Sequence, residues 1–205
     1  MSKSDETGIR HAFPRALEPA NHNRVLFQLT GSIACYKACQ VISRLVQKGV
    51  EVQTVASPAA LEFVGQATLE GLTGKPVFTN IVEPGRVMDH IALARWADIA
   101  VLCPATAHTL NGLAAGVAAD PLGCLFLAWD FRKKPYLVAP AMNHMMLAHP
   151  ATRQAFARLK EWGVELLPTE VGHQACGEEG DGRMLDPDRV SDNVLQRLKE
   201  RAGVL

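Results

Sequence analysis

The sequence predicts an α/β domain built on an open, doubly wound parallel sheet. Short apolar runs alternate with stretches of helical periodicity along the 205 residues. The apolar runs are nearly continuous, as in strands covered by helices on both faces. Most runs end at small residues or proline, where a turn follows. Together these observations indicate a single domain of the Rossmann-like or flavodoxin-like kind.

Five strands are predicted, and helical patterns separate most of them. The predicted strands span residues 25–30, 50–56, 98–103, 135–139 and 164–167. Helical patterns cover residues 33–48, around 61–64, 68–72, 106–129 with a break near Asp120–Pro121, 150–162 and 187–201. Gly49 closes the first of these helices. The order of elements therefore suits repeated β-α units.

Composition excludes several classes of function. Lys plus Arg and Asp plus Glu number 21 each, so no overall field favours nucleic acid or an anionic membrane. The five cysteines include no CxxC pair, which favours a reducing cytoplasm over a disulfide framework, and no metal site is expected. The most apolar window, 112–129, contains Asp120 and Pro121 and predicts a buried helical region rather than a membrane span. Residues 1–23 are polar and predict a flexible leader, with the domain at 24–205.

A ligand site is expected beyond the carboxyl ends of the strands, where open parallel sheets bind their ligands. The residues there are mostly small or hydroxyl-bearing: Gly31, Ser32, Ser57, Pro104, Ala105, Thr106, Ala107, Pro140, Ala141, Met142 and Asn143. A helix N-terminus after Gly31 favours an anion. Because GxGxxG and GxxxxGK[ST] are absent, a cofactor with one phosphate and a flat ring is favoured over a dinucleotide. Helix N-capping is the alternative role for Ser32, Ser57 and Thr106.

Three further side chains are candidates for chemistry. His90 precedes the third strand and is either a general base or a structural histidine. Asn143 is either a donor to a carboxylate or a turn residue. Cys176 lies in the glycine-rich segment 175–184, which is expected to form neither an ordinary helix nor a strand. That segment is either a mobile loop carrying a reactive thiol or a surface turn, and its acidic residues have no assigned role.

Five segments together resemble the FMN-dependent cysteine decarboxylases. They are residues 31–37, 90–98, 104–107, 140–143 and 175–184, in the family's order. The resemblance extends from about Arg24 to the C-terminus. Within this family, the chain is most similar to the members that decarboxylate 4′-phosphopantothenoylcysteine during coenzyme A biosynthesis.

The resemblance implies a role for each candidate. FMN would be held by Gly31, Ser32, Ile33, Ser57, Pro104, Ala105, Thr106 and Ala107. The catalytic residues would be His90 and Cys176, and the substrate would be bound by Asn143, Ala141, Met142 and Arg183. A flap near 172–185 would cover the substrate. The resemblance also implies a cytoplasmic homotrimer, in some members assembled into a dodecamer, with each site between neighbouring subunits.

The implied reaction removes CO₂ from 4′-phosphopantothenoylcysteine and yields 4′-phosphopantetheine. Transfer of hydride from the cysteinyl thiol to FMN gives a thioaldehyde, which serves as the electron sink for decarboxylation. The resulting enethiolate regains the hydride and takes a proton from Cys176. The flavin carries the redox step, and the protein positions the substrate.

Two alternatives remain open. One is oxidative decarboxylation of a peptide's C-terminal cysteine, which does not need the flap cysteine. The other is a non-catalytic, flavin-binding regulatory subunit. The chain departs from the family's usual residues at His108, Ala119 and Leu147, which bears on flavin contacts and subunit packing. Because no synthetase domain follows, a stand-alone decarboxylase or a fragment of a fusion is expected.

Overall fold

The central sheet of the computed structural model, which describes residues 23–203, has five parallel strands. The strands are β1 (Arg24–Leu29), β2 (Glu51–Ala56), β3 (Ile99–Ala105), β4 (Tyr136–Pro140) and β5 (Val164–Leu166). Their order across the sheet is β2-β1-β3-β4-β5, the flavodoxin-like arrangement with its switch point between β1 and β3. The predicted fold class is confirmed. Except for its last position, the predicted leader (residues 1–23) falls outside the described residues.

Nine helices within the described residues accompany this sheet. They are α1 (Cys35–Gln47), α2 (Pro58–Leu61), α3 (Gln66–Thr73), α4 (Asp89–Trp96), α5 (Ala107–Ala114), α6 (Pro121–Leu127), α7 (His144–Ala148), α8 (Pro150–Glu161) and α9 (Pro187–Ala202). The predicted break near Asp120–Pro121 is confirmed, because Asp120 caps α6 by accepting the N–H of Gly123 at 2.9 Å. Among residues 23–203, no helix is long and apolar enough to cross a membrane.

Two apolar layers cover the two faces of the sheet. The pleat of β1 divides its side chains between them: Val25 and Phe27 face the layer that contains α1 and α9, while Leu26 faces the other layer. Strands β1 to β4 are largely buried, which explains their mostly apolar character, whereas β5 is buried only at Val164. This rigid sheet aligns its carboxyl ends along one edge.

Two strands extend further than predicted. Pro104 and Ala105 belong to β3 rather than to the turn after it, and Pro140 belongs to β4. Proline is tolerated here because the β3–β4 register shifts between Leu102 and Ala105, and Ala105 then pairs with Pro140. The turn residues that face a ligand site therefore begin at Thr106 and Ala141.

The expectation that segment 175–184 forms no strand is wrong. Residues Glu179–Arg183 form β7, which pairs antiparallel with β6 (Glu170–His173) in a separate hairpin. The glycines permit this pairing, because Gly182 takes a φ of +120° and its carbonyl accepts the N–H of Met142 at 2.9 Å. The tip of the hairpin is formed by residues 174–178, which include Cys176.

Candidate active site

A cavity of about 850 Å³ opens at the carboxyl end of the sheet, within the range of roughly 300–1,000 Å³ for small-molecule sites. The structure brings most of the predicted site residues to its wall: Gly31, Ser32, Ile33, Ser57, Thr106, Ala107, Ala141, Met142, Asn143, Cys176 and Arg183. They come from the ends of β1, β2, β3 and β4 and from the hairpin. Residues distant in sequence thus converge on one concave surface.

Pro104 and Ala105 do not line this cavity. Both are buried in β3, and the Pro104 carbonyl accepts the hydroxyl of Thr30 at 2.7 Å. The same hydroxyl accepts the backbone N–H of Thr106 at 3.1 Å. Through Thr30, Pro104 therefore helps to position Thr106, and the predicted contact of Pro104 and Ala105 with FMN stays a prediction.

His90 also lies away from the cavity wall. It is half-buried near the start of α4, a helix that the sequence did not predict. Its Nδ1 is buried and has no hydrogen-bond partner within residues 23–203. The exposed apolar side chains Val87 and Met88 immediately precede this helix. Within one chain, His90 is therefore not part of the cavity that holds the other candidates.

The wall near β1 is shaped by the absence of a side chain at Gly31. A Cβ there would lie 2.5 Å from the Cβ of Ala59, so only glycine allows this close approach. The adjoining helix α1 has no side-chain cap at its N-terminus. Free N–H groups and the helix dipole at such an end attract an anion.

Hydroxyl groups on this wall serve two purposes. Ser57 caps α2 by accepting the N–H of Ala60 at 3.2 Å, and Thr106 caps α5 by accepting that of Thr109 at 3.5 Å. Ser32 accepts the N–H of Ala34 at 3.2 Å. Capping uses only the oxygen of each hydroxyl, so a proton remains to donate to a ligand. Capping and ligand binding are thus compatible.

Asn143 likewise combines the two roles that the sequence left open. Its Oδ1 caps α7 by accepting the N–H of Met145 at 2.8 Å. Its Nδ2 points towards the hairpin tip, with Glu178 Oε2 at 2.9 Å, Gln174 Oε1 at 3.2 Å and Cys176 Sγ at 3.3 Å. The cap fixes the amide, and its donor side is turned to the hairpin tip.

Cys176 and Glu178 meet at the exposed rim of the cavity. The thiol donates to Glu178 Oε2 at 3.5 Å, and His144 Nδ1 lies 3.6 Å from the same oxygen. Donation by the Asn143 amide and then by the thiol holds the pKa of the Glu178 carboxyl below its ordinary value. The carboxylate is therefore ionised at neutral pH.

Two cations, Lys37 and Arg183, line the cavity, and none of its described lining residues is a carboxylate. The Arg183 guanidinium packs over Gly172, where a Cβ would lie 2.3 Å from Nη1. Of the three departures from the resembled family, His108 also lines the wall. Leu147 lies in α7, and Ala119 lies between α5 and α6. The two cations, with no carboxylate among the described lining residues, suit an anionic ligand.

Sequence reasoning missed three side chains of this arrangement. Gln174 is buried and links the hairpin to Asn143, while Glu178 and His144 flank the thiol. Lys37 lies in the segment 31–37, but the sequence assigns it no role. These residues come together because β6 pairs with β7, which places residues 174–178 at a hairpin tip. The glycine content of the segment hid this pairing from a prediction based on sequence.

Comparison with known proteins settles the family. The sequence profile of the Flavoprotein family matches residues 15–199. The chain belongs to the Flavoprotein family. Among curated members, the coenzyme A biosynthesis bifunctional protein CoaBC of Vibrio vulnificus is 41% identical over 166 residues, which cover 80% of this chain and 41% of that protein. CoaBC of Escherichia coli is 35% identical over 174 residues, or 84% of this chain and 42% of that protein.

Solved flavoprotein structures share both fold and length. A cysteine-to-serine mutant of PPC decarboxylase complexed with pantothenoylaminoethenethiol is 32% identical, with a TM-score of 0.76 over 84% of this chain and 96% of that one. The FMN binding protein AtHal3 is also 32% identical, with a TM-score of 0.75 over 86% and 96% of the two chains. By contrast, the chain spans about two fifths of the curated relatives' length.

Proposed function

We propose that this flavoprotein decarboxylates 4′-phosphopantothenoylcysteine to 4′-phosphopantetheine and CO₂ in coenzyme A biosynthesis, with FMN as cofactor. The observation that carries the proposal is the meeting of Asn143 and Cys176, whose Nδ2 and Sγ lie 3.3 Å apart at the rim of the cavity. The names of the CoaBC and PPC decarboxylase relatives support the same reaction.

The residues present fit FMN. The wall at Gly31 leaves the backbone open to a ligand, and the uncapped N-terminus of α1 suits a phosphate. Ser32, Ser57 and Thr106 would donate hydroxyl protons to the same group. When bound, the flavin supplies a reversible hydride acceptor for the substrate's cysteinyl thiol.

The protein's own side chains would hold the substrate and its protons. The Asn143 amide would donate to the substrate carboxylate without adding charge, which leaves the carboxylate free to depart as CO₂. Oxidation of the thiol to a thioaldehyde places an electron sink beside that carboxylate. Cys176 would then give its proton to the carbon of the enethiolate, and the hairpin would keep water out.

Substrate phosphate is the proposed ligand of Lys37 and Arg183. Both cations line a cavity whose described lining residues include no carboxylate. Arginine and lysine are the usual phosphate-binding side chains. The two positive charges would orient the long pantothenoyl arm with its cysteinyl end towards Cys176.

His90 would act across a subunit boundary. It lies outside the cavity of its own chain, and the segment that precedes it in the chain carries the exposed apolar residues Val82, Val87 and Met88. A homotrimer, or a dodecamer of such trimers, would bury these side chains and bring His90 to a neighbouring cavity. A cytoplasmic location, consistent with five free cysteines, belongs to the same proposal.

Mixed assemblies test the shared site. His90→Asn and Cys176→Ser subunits, neither of which should form 4′-phosphopantetheine alone, should form it when they are unfolded and refolded together. Some sites would then combine an intact His90 from one subunit with an intact Cys176 from the other. If each variant refolds to an assembly of wild-type size and the mixture forms no 4′-phosphopantetheine, the site lies within one chain.

Oxidative decarboxylation of a peptide is the second candidate, favoured by likeness to the FMN-dependent cysteine decarboxylase SpaF, 28% identical with a TM-score of 0.72 over 87% of this chain and 97% of that one. The Cys176→Ser variant separates the two. Under the proposed cycle it should still release CO₂, then accumulate an oxidised product and reduced flavin. Normal 4′-phosphopantetheine formation by this variant would exclude the role of Cys176.

A further inference from the structure

The amide expected to hold the substrate carboxylate already faces a carboxylate in this structure. Asn143 Nδ2 lies 2.9 Å from Glu178 Oε2, closer than its contacts to Gln174 and Cys176. An amide nitrogen carries only two protons, so it cannot satisfy three acceptors at once. The ionised acceptor at the shortest distance forms the strongest of these bonds.

Glu178 also contacts the thiol of Cys176, the proposed proton donor. The same Oε2 accepts the thiol of Cys176 at 3.5 Å, and His144 Nδ1 lies 3.6 Å away. Glu178 Oε2 therefore joins the substrate-binding amide to the proton-donating thiol, at shorter distances than Gln174 Oε1, which lies 3.2 Å from the amide and 3.7 Å from the thiol. The Glu178 side chain is 57% exposed, so water screens its contacts and a competing carboxylate can displace it.

The backbone of the hairpin tip keeps this carboxylate within reach. The Gln174 N–H donates to the Glu178 carbonyl at 2.8 Å, and the Gly177 N–H donates to the Gln174 carbonyl at 2.9 Å. The neighbouring acid Asp181 is held separately by Thr169 at 2.5 Å. Glu179 is exposed and contributes no hydrogen bond to the Asn143–Cys176 network.

Resting on the proposed function, we propose that Glu178 is a positioning residue that stands in for the substrate carboxylate. Before substrate binds, its carboxylate occupies the Asn143 amide and draws the hairpin tip over the cavity. The incoming substrate carboxylate takes the amide from Glu178. Glu178 then keeps only the Cys176 thiol, whose S–H it orients for proton donation.

The kinetic test uses FMN-loaded wild-type protein, Glu178→Gln and the control Glu179→Gln. Glutamine keeps the shape but accepts a weaker hydrogen bond, so KM for 4′-phosphopantothenoylcysteine should fall by roughly two- to tenfold. The thiol keeps only this weaker acceptor and is less firmly oriented, so kcat should fall as well, with more reduced flavin present during turnover. Glu179→Gln should match wild type in both parameters.

A raised or unchanged KM in Glu178→Gln would overturn the stand-in role. An unchanged fraction of reduced flavin during turnover would overturn the orientation of the thiol. A loss of folding alone would lower kcat without lowering KM, and would not change the flavin spectrum during turnover. The KM decrease and the spectrum thus separate positioning from general damage.

Hydrogen exchange tests the closing contact without turnover. In substrate-free protein, the amides of Gln174 and Gly177 should exchange faster in Glu178→Gln than in wild type or Glu179→Gln, because the tip is released. Equal exchange in all three proteins would contradict the proposal. If wild type releases no CO₂, the proposed function fails, while this exchange difference still reports whether Glu178 holds the tip.

Discussion

The hydroxyl of Thr30 donates to the carbonyl oxygen of Pro104 at 2.7 Å and so ties the end of β1 to the end of β3. It also accepts the N–H of Thr106 at 3.1 Å, and the residue is only 1% exposed. These two bonds fix the start of α5 against the cavity. Thr30 contacts no proposed substrate group, yet it determines where Thr106 stands.

Replacement of Thr30 by valine should weaken both the fold and the cofactor site. Valine has the same shape but leaves the Pro104 carbonyl and the Thr106 N–H unpaired, at a cost of about 1–3 kcal/mol. Denaturant unfolding should show the loss, and titration with FMN should show weaker binding. Thr30→Ser keeps the hydroxyl and should recover most of both, and failure of serine to do so would contradict this account.

Lys134 should be needed to hold the helix that carries His90. Its ammonium donates to the carbonyls of Ala94 and Ala97 at 2.6 and 2.7 Å, at the C-terminal end of α4. Burial lowers the pKa of Lys134 to about 8, so the group is still protonated at neutral pH. Lys134→Met should therefore lower the free energy of unfolding by about 1–3 kcal/mol at pH 7.

Lys133 supplies the matched control for this change. Its side chain is 77% exposed, with only a 3.6 Å ion pair to Asp130. Lys133→Met should change the free energy of unfolding by no more than about 0.5 kcal/mol in the same denaturant titration. Equal effects of the two substitutions would show that the carbonyl contacts of Lys134 do not stabilise α4.

Gly182→Ala should open the flap. The backbone at Gly182 has a φ of +120°, and a Cβ there would lie 2.3 Å from the Met142 carbonyl oxygen. Relieving this clash should break the 2.9 Å bond from the Met142 N–H to Gly182, with strain on the order of 1–3 kcal/mol. Hydrogen exchange at the hairpin should rise and CO₂ release should fall.

Gly71→Ala is the corresponding control, because it lies in α3 with open space around its Cβ position. Alanine should leave CO₂ release unchanged and should stabilise the helix by up to about 1 kcal/mol. If Gly182→Ala behaves like Gly71→Ala, the close contact between Met142 and Gly182 is not required for flap closure.

Acid should release the hairpin tip through Glu178. Its pKa is held below the ordinary value, so its contribution to closure is complete above about pH 4.3 and is lost as the pH falls through the lowered value. Tip exchange, corrected for intrinsic rates, should therefore rise in wild type as the pH falls below about 4.3. In Glu178→Gln it should show no such step, and an equal rise in both proteins would exclude Glu178 as the acid-sensitive group.

The central sheet was predictable because its strands are buried on both faces. The run that begins at Val25 shows this pattern without interruption, and it predicts both the strand and the position of the site beyond it. The site residues next to strand ends, such as Ser57 and Asn143, followed from that geometry. Local sequence was sufficient here because each residue is placed by its own strand.

The hairpin and α4 were not predictable from local sequence, because contacts with other parts of the chain hold them in place. Strand β7 depends on pairing with β6 across a tip of five residues, 174–178, and its glycines counter any local strand propensity. Helix α4 is short and is held at its end by Lys134, about forty residues later in the chain. The network around Glu178 therefore appears only when the tertiary structure is known.

The most direct test of the account is the fate of CO₂ and flavin in one reaction. Purified protein loaded with FMN is mixed with excess 4′-phosphopantothenoylcysteine, and CO₂, 4′-phosphopantetheine and the flavin spectrum are followed together. We expect many turnovers, one CO₂ for each 4′-phosphopantetheine, and oxidised flavin when the substrate is exhausted. FMN binding without CO₂ release, or a single turnover that leaves the flavin reduced and an enethiol product, would contradict it.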